Sequence, residues 1–538
     1  MVPDPARLDA AQVLASVAAV LVAAAVAALR VRHRIAAGTA AHLLCACAVL
    51  AVASWLRFGQ LHVVAVRASE AAGAARAERR DNLQFHEFFH YYLGAKYFPE
   101  LGYLGLYDCT ALADRETAEQ DGARPRIAFV RDLADVLAEK TAAAARSDCA
   151  LRQRLRFADA RWAAFKVDLR ALQRLAPDAW WQDVVDDKGL NPPPTSLLLG
   201  SAVANAIPIR AAGLPTYLIV TSLDLLLVCG SFLALRSSFG GSAAALAAVT
   251  FGASFIASYG WLGGAVLRFT WVAALVFGLA AMGRGRWLLA GLLLGWSVCD
   301  RVFPAGFAVG AALPLAASSL QRARDRGPLA RYALGLGLAM GIAGLASVAA
   351  FGVEDWRVFA TRLARDAHVH NVLHIGLDKI LTYRAWTPQD FPDLASFRQW
   401  NERIDATWAR LRVAAGLLQA AAMMAAGLAA ARRRPVEASV LFGVLAMFTL
   451  ASPSNYYYVV LAIVPALLLR AAVRASGARR TRELCSLLVF ECFCLVQLLA
   501  PRLLPDPIAH DLAICLALAT FLAVWVAVWS LPPAPATR

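Results

Sequence analysis

The residues best suited to chemistry lie between Asp81 and Cys109, DNLQFHEFFHYYLGAKYFPELGYLGLYDC, where His, Glu and Lys stand among aromatics between apolar runs. At helical spacing Glu87, Tyr91, Gly94 and Phe98 share one face, with His86 and His90 one turn apart beside the carboxylate. Pro99 and the Gly102/Gly105 pair predict that this helix runs into a turn. A carboxylate among aromatics and imidazoles is partly desolvated yet hydrogen-bonded, which suits a general base near neutral pH. The plainer alternative is an amphipathic helix lying on a membrane with its Tyr and Phe at headgroup level.

The same stretch contains a literal H-E-x-x-H, His86-Glu87-Phe88-Phe89-His90, which on a helix puts both imidazoles on one face for zinc, with Glu87 activating a water. The longer form, with Gly and a third His, is absent. Glu116, Glu119, His368, His370 or His374 could complete such a site, and nothing in the sequence selects among them.

Other charged residues stand at the edges of apolar runs. Arg268 follows Gly263-Gly264, and Asp300-Arg301 separates two apolar runs before Pro304. Charges at such depth are expensive, and Arg suits bidentate phosphate binding, so both arginines are candidate ligands for a lipid phosphate; the alternative for Arg301 is a structural pair with Asp300. His368 to Arg384 adds His370, Asn371, His374 and Lys379, for substrate binding or for loop packing. Asp186 to Pro194 has prolines that force an extended approach to the membrane, and Ser452 to Tyr458 opens a later apolar run with tyrosines.

The elements that must hold these residues are membrane spans. Of 538 residues 59% are hydrophobic and mean hydropathy is +0.55, with apolar runs recurring from end to end, so the chain reads as an all-α polytopic membrane protein. The net charge of +15 does not imply nucleic acid, because clusters such as Arg30/Arg32/Arg34, Arg322/Arg324/Arg326 and Arg432/Arg433/Arg434 sit beside spans, as topology signals with anionic lipid for partner. The N-terminus lacks a basic n-region and cleavage site, so the first run is expected to be retained.

Spans are expected near 12 to 29, 40 to 56, 195 to 209, 214 to 235, 240 to 259, 265 to 282, 287 to 300, 303 to 320, 330 to 351, 411 to 430, 436 to 451, 456 to 472, 484 to 500 and 511 to 530. Charge parity requires one of those between 195 and 259 to be re-entrant or interfacial, and the short Thr195 to Pro208 run is the candidate, leaving about twelve true spans. The organisation is then an N-terminal pair (1 to 56), a first outer loop (57 to 194), a core (195 to 351), a second outer loop (352 to 410) and C-terminal helices (411 to 538). Within the first loop FVRDLADVLAEK and RWAAFKVDLRALQRL read as amphipathic helices that cap or support the site. Cys109 and Cys149 share that loop, where they are equally compatible with a disulfide and with free thiols; the other eight cysteines lie in apolar runs as small hydrophobes. Seven of nine histidines, all but His33 and His42, fall on the outer side.

The order of these elements resembles the GT-C superfamily of multispanning glycosyltransferases, in particular the bacterial alpha-mannosyltransferase-like branch that uses polyprenyl-phosphate sugars. That branch carries an acid, Phe, a Tyr pair, small residues, Gly and Leu-Tyr in its first outer loop, and Glu87-Phe88, Tyr91-Tyr92, Gly94-Ala95, Gly102 and Leu106-Tyr107 are similar. Pro192-Pro193, the stretch from Gly264 through Ala290-Gly291 to Arg301 and Pro304, and Ser452-Pro453 before Tyr456 to Tyr458 resemble its later motifs. Two departures are Glu where the family has Asp and Arg301 where Lys is common, and Asp81 is a second candidate for the acid.

The resemblance implies direct transfer of a hexose such as mannose from a polyprenyl-phosphate carrier to a hydroxyl of a glycolipid, polysaccharide or protein. Glu87 would be the base, Arg268 and Arg301 the phosphate ligands, and His86, His90, Tyr91, Lys96, His370, Asn371 and His374 the wider substrate-binding set. The residues do not require a metal, although they are compatible with a divalent one. The Ala- and Arg-rich usage points to a bacterium of high genomic GC content, hence an inner membrane with a periplasmic active face.

Overall fold

The computed structural model describes residues 10 to 57, 85 to 174, 178 to 209, 213 to 253, 265 to 321, 326 to 366, 369 to 386 and 394 to 531. Asp81 and His368 lie outside these residues. The chain is almost wholly helical, and eight helices are long and apolar enough to cross a membrane, with five shorter apolar helices beside them, among the described residues. Their length and composition make this a multi-pass membrane protein.

The helix Pro194–Ala206 has 13 residues, or about 20 Å, too short for a hydrocarbon core of roughly 30 Å. Gly241–Ala253, Thr270–Gly283 and Trp287–Asp300 have 13, 14 and 14 residues, so length alone does not select the re-entrant run. The helix Leu394–Ala431 has 38 residues, about 57 Å, and so projects well beyond any bilayer. Residues 394 to 410 of the second loop are thus helical and continuous with the following span.

Helices approach closely where side chains vanish. Trp287–Asp300 crosses Arg326–Phe351 at Gly291 and Gly335, where an added Cβ would meet the Tyr332 and Leu288 carbonyl oxygens at 2.1 Å in each case. This contact fixes the helix that ends at Asp300.

The first long polar loop has a core of its own, with Phe88, Phe89, Tyr107, Trp162, Phe165 and Trp181 fully or nearly fully buried. Asp159–Gln173 is the expected amphipathic helix and buries Trp162, Phe165, Leu169 and Leu172. The expectation of helix for FVRDLADVLAEK is corrected: Phe129–Arg131 and Glu139–Thr141 form an antiparallel hairpin with Val130 opposite Lys140. Asp132 and Asp135 accept from the Ala134 and Leu137 amides (2.8 and 3.1 Å), offering the backbone turns in place of a helix. Cys109 and Cys149 are joined in a disulfide that ties Gly105–Asp121 to Ala142–Leu151.

The two ends of the bundle differ. At one, Arg284 reaches Ser237, Arg470 donates to the Ser238 carbonyl, and Arg433 pairs with Glu483 at 2.9 Å. At the other lie the outer-loop core, Arg268, Arg301 and the tyrosines after Ser454.

Candidate functional site: a cleft with two arginines and a carboxylate

Glu87 is the last residue of a short helical turn, Phe85–Glu87, that continues as a π-helix, Phe88–Gly94. The wider π turn departs from the regular spacing expected, yet keeps Glu87 and Tyr91 on one side, where both line the same cleft. Pro99 starts a new turn, Phe98–Leu101, rather than ending the helix, and Gly102 (φ 58°) closes it.

Arg268 enters the cleft from the turn before Thr270–Gly283. Its backbone amide and that of Phe269 both donate to the carboxylate of Asp224, at 3.0 Å, so a fully buried acid on a different span fixes the turn. Leu267 holds a left-handed conformation there (φ 55°), unusual for a branched residue and typical of over-determined functional turns. The Arg268 guanidinium pairs with Glu87 and lies over the Tyr456 ring, 4.4 Å from its centroid.

Arg301 follows the C-terminus of Trp287–Asp300. Its Nη1 donates to the Asp300 carboxylate (3.0 Å), the Asp300 carbonyl (2.8 Å) and the Ser196 hydroxyl (3.2 Å). Asp300 also accepts from Ser196 (2.6 Å) and from Thr270. The structural pair and the ligand role are thus not exclusive: the bonds to Asp300 and Ser196 all use Nη1, and Arg301 also lines the cleft, its guanidinium carbon 5.5 Å from the Tyr91 ring centroid.

The cleft is lined by residues that include Glu87, Tyr91, Arg268, Arg301, Tyr456 and Tyr457. A second groove, lined by Leu197, Leu199, Leu267 and Trp296 on one side and by Ser196, Thr270 and Asp300 on the other, shares Tyr91 and Arg301 with it. A polar cradle and a groove of mixed polar and apolar lining therefore meet at one guanidinium. Such a pair of spaces accepts an anionic head and an apolar tail.

No family model, curated protein or solved structure matches this chain.

Other residues of the expected set lie elsewhere. Lys96 does not line the cleft: it is 3% exposed and bonded at 2.7 Å to the fully buried Asp168, which also accepts from Tyr97 (2.6 Å), so its substrate-binding assignment gives way to a structural one. His90 is buried and bonded to the Tyr107 hydroxyl at 2.7 Å; burial, opposed in part by the charge of Asp187, lowers its pKa to about 4 and keeps it neutral. His86 is half-buried, its ring centroid 6.4 Å from that of His90. In the H-E-x-x-H stretch Glu87 thus stands on Arg268 and His90 on Tyr107.

Asp186 pairs with Arg131 at 2.7 Å, and Arg362 donates to the Lys188 and Leu190 carbonyls, so the Pro-rich entry is anchored through its backbone. Asn371 closes a turn by accepting from the Leu373 amide (3.0 Å). His370 and His374 lie in a separate cluster with Asp378. Two partners escaped sequence reasoning, Asp224 and Asp168. For Asp224 the available signal was a lone carboxylate within an apolar span.

Proposed function

We propose that this protein is an integral membrane glycosyltransferase of GT-C type, with about twelve crossings, moving a hexose such as mannose from a polyprenyl-phosphate carrier to an acceptor hydroxyl. The observation that carries the reading is the meeting of Glu87, Arg268 and Arg301 in one cleft, with a second groove, partly lined by Leu197, Leu199 and Trp296, meeting it at Arg301. The Cys109–Cys149 disulfide supports an oxidising compartment for the first loop, hence the periplasmic side of a bacterial inner membrane. The acceptor would be a glycolipid, a polysaccharide or a protein.

The carrier phosphate engages Nε and Nη2 of Arg301 while its chain follows Leu197, Leu199 and Trp296. A second anion in the cleft competes with Glu87 for Arg268. As the guanidinium turns to the phosphate, the carboxylate is released to accept a proton from the acceptor hydroxyl. The hydroxyl oxygen then forms a bond to the anomeric carbon as the bond from that carbon to the phosphate oxygen breaks. The departing lipid phosphate leaves with its charge neutralised by two guanidinium groups. One base and no enzyme nucleophile imply inversion at the anomeric carbon.

Binding and turnover separate the roles. Arg301→Ala should weaken polyprenyl-phosphate binding, read by thermal stabilisation in detergent, by roughly 10- to 100-fold. Glu87→Gln should bind the carrier as well as wild type or better, yet lose about 100-fold or more in transfer. Full transfer by Glu87→Gln would remove Glu87 as the base.

A further inference from the structure

We infer a metal site at His370, His374 and Asp378, held outside the cleft and binding a divalent first-row transition ion, with zinc the best fit to two imidazoles and one carboxylate. Each residue offers one ligand atom, and all three atoms lie within 4.8 Å of one another. Ligands at roughly 2.0 to 2.2 Å from a tetrahedral ion are about 3.4 Å apart, so modest side-chain rotation closes the set and leaves a fourth position for water.

The surroundings are those of a ligand set rather than of a chance cluster. The His370 Nε2 faces Asp405 at 3.1 Å while its Nδ1 faces Asp378 at 3.9 Å. A carboxylate on the far nitrogen fixes the tautomer and turns the other nitrogen inward, the usual support for a metal-binding imidazole. The backbone amide of His370 is held by Asn401 at 2.6 Å, from the same projecting helix that carries Asp405. Of two nearby cations, Lys188 lies over the Phe397 ring, 5.8 Å from its centroid, and Lys379 is neutralised by Asp511 and donates to the Val372 and His374 carbonyls (2.9 and 3.2 Å).

The site also stands where two segments of the chain meet. His374 pairs with Ser454 in a β-bridge, the Asn455 amide donates to the Leu373 carbonyl (2.8 Å), and the Tyr458 hydroxyl to that of Ile375 (2.8 Å). The ion would lock this loop onto the segment that presents Tyr456 to Arg268. The assignment does not depend on the transferase reading.

Chelator-treated full-length protein in detergent, titrated with Zn²⁺ alone and assayed for bound metal, should take up about one equivalent per chain and gain thermal stability. His374→Ala and Asp378→Asn should each lose that equivalent, His86→Ala should keep it, and Asp405→Ala should weaken it by roughly 10- to 100-fold. Cobalt substitution of the wild type gives a readout that needs no variant, with the intense visible bands of a four-coordinate ion expected. Absence of zinc uptake, retention of the ion in both ligand variants, its loss in His86→Ala, or a six-coordinate cobalt spectrum would each overturn the site.

Discussion

At the scale of single residues, the contrast between Glu87 and Lys96 is instructive, because both are charged residues of one aromatic-rich stretch. Glu87 meets a guanidinium at the rim of a cleft, whereas Lys96 is sealed against Asp168. Replacing Lys96 by Met strands a buried carboxylate, so it should cost about 3 to 5 kcal/mol in unfolding free energy while the folded fraction keeps its turnover. His90 carries a pH signature. Its pKa is depressed when folded, so its contribution is fully present above about 6.5 and is lost as pH falls towards about 4, an interval equivalent to roughly 3 kcal/mol. Denaturant unfolding should show wild type losing that much more stability between pH 7 and pH 4 than His90→Gln does. Asp108, raised to about 6 by burial, acts in the opposite sense over an overlapping window, but it is present in both proteins and cancels in the comparison. Glu87, Arg268 and Arg301 were legible because charge beside an apolar run is rare enough to demand a reason. Asp168 was not, since its partner lies 72 positions away and no local pattern links them, and Asp224, although a lone carboxylate within an apolar span, gave no sign of its partner 44 positions on.

At the scale of elements, local periodicity was a good guide to helices and a poor one where side chains compete for the backbone. RWAAFKVDLRALQRL kept its helix because its apolar positions repeat on one face over a core of aromatics. FVRDLADVLAEK shares that periodicity, yet Asp132 and Asp135 cap turns and the flanks pair as strands. The register of the π-helix at Phe88–Gly94 was also invisible, since its extra residue per turn reflects packing of Phe88, Phe89 and Tyr92 rather than spacing. The crossing at Gly291 gives a sharp test. A Cβ there meets the Tyr332 carbonyl oxygen at 2.1 Å, a backbone atom that cannot swing aside. Gly291→Ala should therefore force the two helices apart, destabilise by about 1 to 3 kcal/mol in thermal unfolding, and lower carrier affinity through the displaced Arg301.

At the scale of the whole molecule, the fold separates two tasks along one axis. One end gathers Arg284, Arg433 and Arg470 with their partners, and the other gathers the disulfide-linked loop core, the cleft and the histidine cluster. The segregation was readable in advance because basic loops and polar loops alternate along the chain, whereas the depth and shape of the cleft required the packing itself. The central claim is that this outer cleft transfers a sugar, and transfer in proteoliposomes tests it most directly. Purified wild type supplied with a radiolabelled polyprenyl-phosphate hexose and a membrane glycolipid extract should move label to the acceptor and release the polyprenyl phosphate, while Glu87→Gln, folded and carrier-bound, should not. Label that stays on the carrier with wild type across glycolipid, polysaccharide and protein acceptors, or that moves equally well with Glu87→Gln, would contradict it.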